Sequence, residues 1–247
     1  MTEPKDHPTG GRPQGLSGGD QNGNAVVDLA GRELRAPWAA GVAGLLFTLL
    51  FTAALILLRT YPQASASDAD VGQFFNSGQD NLIVIGGLYL APFSGIAFLW
   101  FIAVIRDQLG DREDRFFATV FFGSGVLFVA LLFSAAAVAS SISVGVRYLG
   151  LAPPTANTVG LVRALSYTVL FAFGTRVAAV FLFSIATIGW RSQAFPRWLA
   201  LAGYVLGLVL LVAVTFFDWV VEVFPLWVAI SSLVILRRES ARRRIPG

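Results

Sequence analysis

Cysteine is missing from all 247 residues, and histidine occurs once, as His7. Without thiols there is no disulfide, no thiolate nucleophile and no cysteine-based metal site. With one imidazole there is no Ser-His-Asp triad, no HExxH zinc site and no haem held between two histidines. No metal or other cofactor is expected on these grounds, and no enzyme activity. Lysine is nearly absent as well: Lys5 stands alone beside seventeen arginines. Charge as a whole is scarce, at 13% of residues, against roughly 25% in a soluble domain. Apolar residues fill the gap, with 55% hydrophobic residues and a mean hydropathy of +0.69. So little polar surface cannot cover a water-soluble globule, so lipid is the expected solvent for most of the chain.

Six apolar runs of helical length carry that hydropathy, at about 38–58, 82–105, 116–140, 161–190, 198–217 and 219–236. About 20 residues cross ~30 Å of hydrocarbon at 1.5 Å per residue. The runs are too long and too continuously apolar for barrel strands, and in lipid only helices or closed barrels satisfy the backbone. The predicted fold is therefore all-α, one polytopic six-helix transmembrane bundle over 37–237. Residues 1–36, rich in Gly, Pro, Asn and Asp, are predicted to stay disordered. They contain no signal-peptide core, and their glycines form no phosphate loop. Residues 238–247 form a basic tail.

The arginines orient the bundle. Fourteen of the eighteen basic residues fall in the N-terminal tail, the second and fourth loops and the C-terminal tail. The opposite loops hold only Arg59, Arg147 and Arg163. Cytoplasmic loops carry the excess of Lys and Arg, so both termini are expected in the cytoplasm, as an even number of spans requires. The net charge of +3 follows this topology and gives no sign of a nucleic-acid partner.

Arg176 is the one basic residue left over. It lies in the middle of the fourth run, thirteen residues from Arg163 and fifteen from Arg191. A central arginine costs roughly 2.5–3.5 kcal/mol on the lenient insertion scale, so it should turn inward and find acceptors. Glu222 and Asp218 are the acids nearest the hydrocarbon. Measured from the cytoplasmic end, Glu222 matches Arg176 in depth; measured from the outer end, it lies only about a turn below the surface. An Arg176–Glu222 ion pair is expected, with Asp218 a turn outward on the same face. Pro225 is expected to kink the sixth helix and free the carbonyl of Val221. The alternative for Asp218 and Glu222 is an interfacial turn facing water.

The remaining polar features have plainer readings. Asp68, Asp70 and Asp80 in the first loop fit no EF-hand spacing, and a solvated loop is favoured over an external cation site. Arg237, Arg238, Arg242, Arg243 and Arg244 form a juxtamembrane run suited to anionic lipid headgroups or to anchoring topology. Gly203 and Gly207 make a GxxxG step that permits close helix approach, inside the monomer or in a homo-oligomer. Trp38, Trp100, Trp190, Trp198, Trp219 and Trp227 read as interfacial anchors and core packing.

The stretches LYLAPFSGIAFLWFIAVIRDQLGDREDRFF (88–117) and FPRWLALAGY (195–204) resemble a group of uncharacterised actinobacterial multi-pass membrane proteins, and the second, with the later FPLW, also resembles broader families of six- or seven-span proteins of unknown function. The arginine bias suits such a GC-rich source. The resemblance implies a helical integral protein of a bacterial plasma membrane, and no activity. Three readings of function follow. The first is a small transporter, or a ligand-sensing or accessory subunit, centred on Arg176. The second is a structural or assembly protein in which that arginine only locks helices together. The last is a membrane enzyme.

Overall fold

The computed structural model describes residues 36–63, 65–109, 115–193, 195–212 and 219–242, and every regular element among them is helical. Helix α1 is Ala36–Leu58 and α2 is Asp68–Asn76. Helix α3 starts as Asn81–Val84, widens into a π turn over Ile85–Leu90 and continues as Ala91–Leu109. Helix α4 is Arg115–Leu149. Helix α5 is also composite, with Ala156–Tyr167, a π turn over Thr168–Gly174, and Thr175–Arg191. Helix α6 is Arg197–Val212, and α7 enters through a 3-10 turn, Val220–Glu222, into Val223–Arg242.

Five of these helices are long and apolar enough to cross a membrane: Trp38–Leu58, Asn81–Arg106, Phe116–Leu149, Ala156–Arg191 and Val220–Arg238. The chain is a helical, multi-pass membrane protein. Helix α6 has 16 described residues, about 24 Å at 1.5 Å per residue. The end of the expected fifth span, 213–217, lies outside the described residues. So do the tail over 1–35 and most of the charged loop after α3.

Lipid tails are as apolar as leucine, so helices in a membrane associate through close packing rather than through exclusion of water. Phenylalanine does this work here. Phe47 and Phe51 of α1, Phe98 of α3, Phe128 of α4, Phe181 of α5 and Phe224 of α7 are all buried in one cluster. Phe47 and Phe98 lie 4.6 Å apart, and Phe224 meets Phe128 edge-on at 4.8 Å. The cluster joins all five long helices. Small residues let the backbones close around it. A Cβ on Gly203 would sit 3.1 Å from Ala186, and one on Gly207 would sit 3.3 Å from the carbonyl oxygen of Ala179. The GxxxG face is thus used within the chain, between α6 and α5. Five of the six tryptophans are exposed; Trp227 is buried and donates to the Leu199 carbonyl at 3.3 Å.

The first and third loops are not the solvated connections expected of them. Helix α4 runs nine residues beyond the expected 140, and α5 begins five residues before the expected 161. With α2 they form a cap with its own apolar cluster of Tyr61, Val71, Phe74, Phe75, Ile83 and Val159, against which Ile142 and Val146 pack. The three acids build this cap. Asp68 accepts a hydrogen bond from the N–H of Ala156 at 2.6 Å, and so caps α5. Asp70 accepts from Ser67 and closes a capping box on α2. The Ser67 hydroxyl, and then its backbone N–H, hold the Asp70 carboxyl below its ordinary value. Asp80 is 1% exposed and takes two bonds from Arg147, at 2.6 Å and 3.2 Å. Asp68 and Asp70 are exposed, as a solvated loop implies, whereas Asp80 is buried, and pairing is what makes a buried carboxylate tolerable.

Candidate functional site

Arg176 follows directly on the π turn of α5 and is half-buried. Its guanidinium donates to the carbonyl of Ala172, one turn back on the same helix. It shares a helix face with Phe173 and Val180, both exposed. The expected ion pair with Glu222 is not formed. Glu222 instead sits against α1, where the Thr52 hydroxyl donates to Oε2 at 2.8 Å and the Arg59 guanidinium supplies the opposite charge. Its Oε1 is buried and accepts no hydrogen bond from a described residue. The reason is depth. Thr52 lies seven residues from Arg59, about 10 Å along α1, whereas Arg176 lies about 20 Å along α5 from Arg163. The measure from the outer end was the correct one.

Pro225 also behaves differently from expectation. It falls in the first turn of the α-helical part of α7, where a missing N–H disturbs nothing. Its own carbonyl accepts a hydrogen bond from the Thr48 hydroxyl at 2.9 Å. Asp218, Arg243 and Arg244 lie outside the described residues, as does the side chain of Arg242. Arg237 and Arg238 are exposed on the last turns of α7.

The structure instead draws attention to a cavity of about 70 Å³ between the phenylalanine core and the cap. Its apolar walls are Leu55 and Leu58 of α1, Leu132, Ala135, Ala136 and Ala139 of α4, and Leu170 and Phe171 from the π turn of α5. Its polar groups are Arg59, Tyr61, Arg163, Ser166 and Tyr167, with no carboxylate among the lining residues. Each is positioned by local structure. Arg163 donates to the Pro62 carbonyl at 3.1 Å, and Arg59 lies 4.0 Å over the Trp219 ring. Ser166 donates to the Ala135 carbonyl at 2.8 Å and so fastens α5 to α4. Tyr167 stacks on Phe171 at 3.8 Å across the start of the π turn. Tyr61 shares a hydrogen bond with Ser143 at 3.2 Å. Burial first, and then the Asp80 charge, push the Tyr61 phenol above its ordinary value, so it stays neutral.

Two guanidinium groups above an apolar slot suit recognition of an anion attached to something greasy. No group of three His, Cys, Asp or Glu converges among the described residues. Single-turn π segments occur often at functional sites, and one of the two among the described residues forms part of the cavity wall. The other packs against α4 beside it, where a Cβ on Gly87 would meet the Ala136 carbonyl at 3.1 Å. Sequence reasoning took Arg163 as a helix-end marker and passed over it. The signal was Thr155 after Pro153-Pro154. Its side chain caps the helix by accepting from the Thr158 N–H at 3.3 Å, which sets Arg163 two turns inside α5. No protein-family model matches the chain, and neither a curated protein nor a solved structure matches it.

Proposed function

We propose that the protein is a non-enzymatic ligand-sensing or accessory subunit of a bacterial plasma membrane, crossing it six times with both ends in the cytoplasm. The cavity beneath the cap is its ligand site, and that cavity, walled by apolar side chains under Arg59 and Arg163, is the observation that carries the reading. Positive-inside orientation puts the cap on the outer face, so the ligand arrives from outside or from the outer leaflet. Sensing is favoured over transport because, among the described residues, buried phenylalanine rings from five helices fill the centre. Actinobacterial ancestry and contact of the C-terminal arginines with anionic headgroups belong to the same reading.

The test is native mass spectrometry of the full chain released from mild detergent. A small molecule of defined mass should accompany the protein, and Ala139→Phe, which fills the cavity, should abolish it. Ala130→Phe, at an exposed position on α4, should not. An adduct unaffected by Ala139→Phe, or no adduct at all, refutes the reading. A structural or assembly role is the second possibility. The ring cluster favours it, because such a core would serve a scaffold equally well.

A further inference from the structure

We infer that Arg176 is a docking point for a second membrane protein, and that the partner is a transmembrane helix with one Asp or Glu near the middle of its span. This rests on the accessory-subunit part of the reading above and not on the cavity. Arg176 stands about 20 Å along α5 from Arg163 and about 22 Å from Arg191, so it lies deep between the two ends of the span Ala156–Arg191. It is half-buried, and Phe173 and Val180 on the same helix face are exposed. Among the described residues its guanidinium donates to the Ala172 carbonyl of its own helix, and no carboxylate pairs with it. One of five N–H donors is thereby used, and the charge itself goes unmatched. Charges inside a span are costly, and they pair with one another or with backbone carbonyls.

Depth selects the occupant. Phospholipid phosphates lie at the two surfaces, farther from Arg176 than one side chain extends. A second copy has no acid to offer at this level. Glu222 is the one carboxylate within the described spans. It is engaged by Thr52, which lies about 10 Å from the Arg59 end of α1, about two turns nearer that surface than Arg176. What fits is a helix of another chain whose carboxylate sits level with Arg176. The planar guanidinium offers it two parallel bonds, and Phe173 and Val180 flank the contact with exposed apolar surface.

The absence of native cysteine supplies the assay. Ser240→Cys gives the full chain one exposed thiol near the end of α7 for a donor dye. The probe is a synthetic alanine–leucine helix of about 20 residues with an acceptor dye at one end, and energy transfer is read in phosphatidylcholine vesicles at low protein density. A probe with Asp at its centre should associate. The same probe with Ala there, or with Asp one turn from its end, should not. Arg176→Gln should raise the half-saturating probe concentration about tenfold, within the range for losing a charge-assisted hydrogen bond. Arg106→Gln, in the last turn of α3, should leave it unchanged. No association of the central-Asp probe, equal association of the Ala probe, or no effect of Arg176→Gln overturns the proposal. Equal association of the end-Asp probe puts the cation at the surface and overturns it as well. Association that appears only with Asp218→Asn assigns the cation to an acid of this chain. Transfer between two labelled copies that Arg176→Gln abolishes assigns it to a homo-oligomer, and either result refutes the partner helix. The comparison of probes needs only the labelled chain, so it decides even if Arg176→Gln does not accumulate. None of these results bears on the cavity, which stands or falls with the co-purifying adduct.

Discussion

Phe224 is the residue on which the packing argument can be tested most directly. It is fully buried near the start of α7. Four rings surround it: Phe128 at 4.8 Å, Phe98 at 5.4 Å, Phe181 at 5.6 Å and Phe47 at 6.0 Å. Each aromatic pair is worth roughly 0.5–1.5 kcal/mol beyond area burial. A Phe→Ala change in a water-soluble core costs about 3–5 kcal/mol, part of it transfer from water. In a bilayer that part is small, because the unpacked helix exposes the ring to lipid instead. What remains is the cavity and four ring contacts that share members and so do not add fully. Phe224→Ala should therefore destabilise by about 2–4 kcal/mol. Phe224→Leu should cost about half of that, and Phe173→Ala, on an exposed ring, no more than ~0.5 kcal/mol. The assay is reversible unfolding in mixed micelles of mild detergent and dodecyl sulfate, followed by far-ultraviolet circular dichroism. If Phe224→Ala matched Phe173→Ala, ring packing would not be what holds the five helices together.

Three further outcomes are expected. Arg147→Gln should lower the melting temperature more than Asp80→Asn, because the first leaves a buried carboxylate unpaired and the second leaves a half-exposed guanidinium that water can reach; the double variant should recover part of the loss, and thermal unfolding read on the cap tests all three. Arg176→Gln should leave both accumulation in the membrane and melting near wild type, since its bond returns to its own helix; loss of the protein on a membrane immunoblot would show that Arg176 holds helices together. A single cysteine at Gln63 should react with an impermeant maleimide on intact cells and one at Ser240 should not; the reverse pattern would invert the bundle.

Hydropathy alone located the long helices well, because a bilayer sets their minimum length. The apolar runs expected at 38–58, 82–105 and 219–236 correspond to Trp38–Leu58, Asn81–Arg106 and Val220–Arg238 within two residues at either end. It failed where helices leave the hydrocarbon. Residues 141–149 carry two serines, a glycine and an arginine, so they read as a loop, yet Ile142 and Val146 one turn apart give them a face for the cap. Helix α4 spans 35 residues, about 52 Å at 1.5 Å per residue, well beyond ~30 Å of hydrocarbon. The site was missed for a related reason. A lone charge in an apolar run draws notice, whereas Arg59 and Arg163 at run ends look like topology markers. They line one cavity because Arg163, two turns inside α5, reaches the Pro62 carbonyl just past α1, which is a tertiary fact. Among the acids of the first loop Asp80 alone is buried against expectation, because its partner Arg147 lies 67 residues away.

The wide turn in α5 has a consequence for reading that helix. Each residue of an α-helix turns the next by about 100°, so an inward stripe keeps its direction only while the count is regular. The segment Thr168–Gly174 interrupts the count. Before it, Arg163 and Ser166 look into the cavity; beyond it, Phe181 and Leu182 are fully enclosed in the core. The helix therefore carries two stripes set at different phases and joined by a seven-residue clutch. A chain lacking Thr168 alone would keep the side chains of both stripes and still be unable to point them inward together.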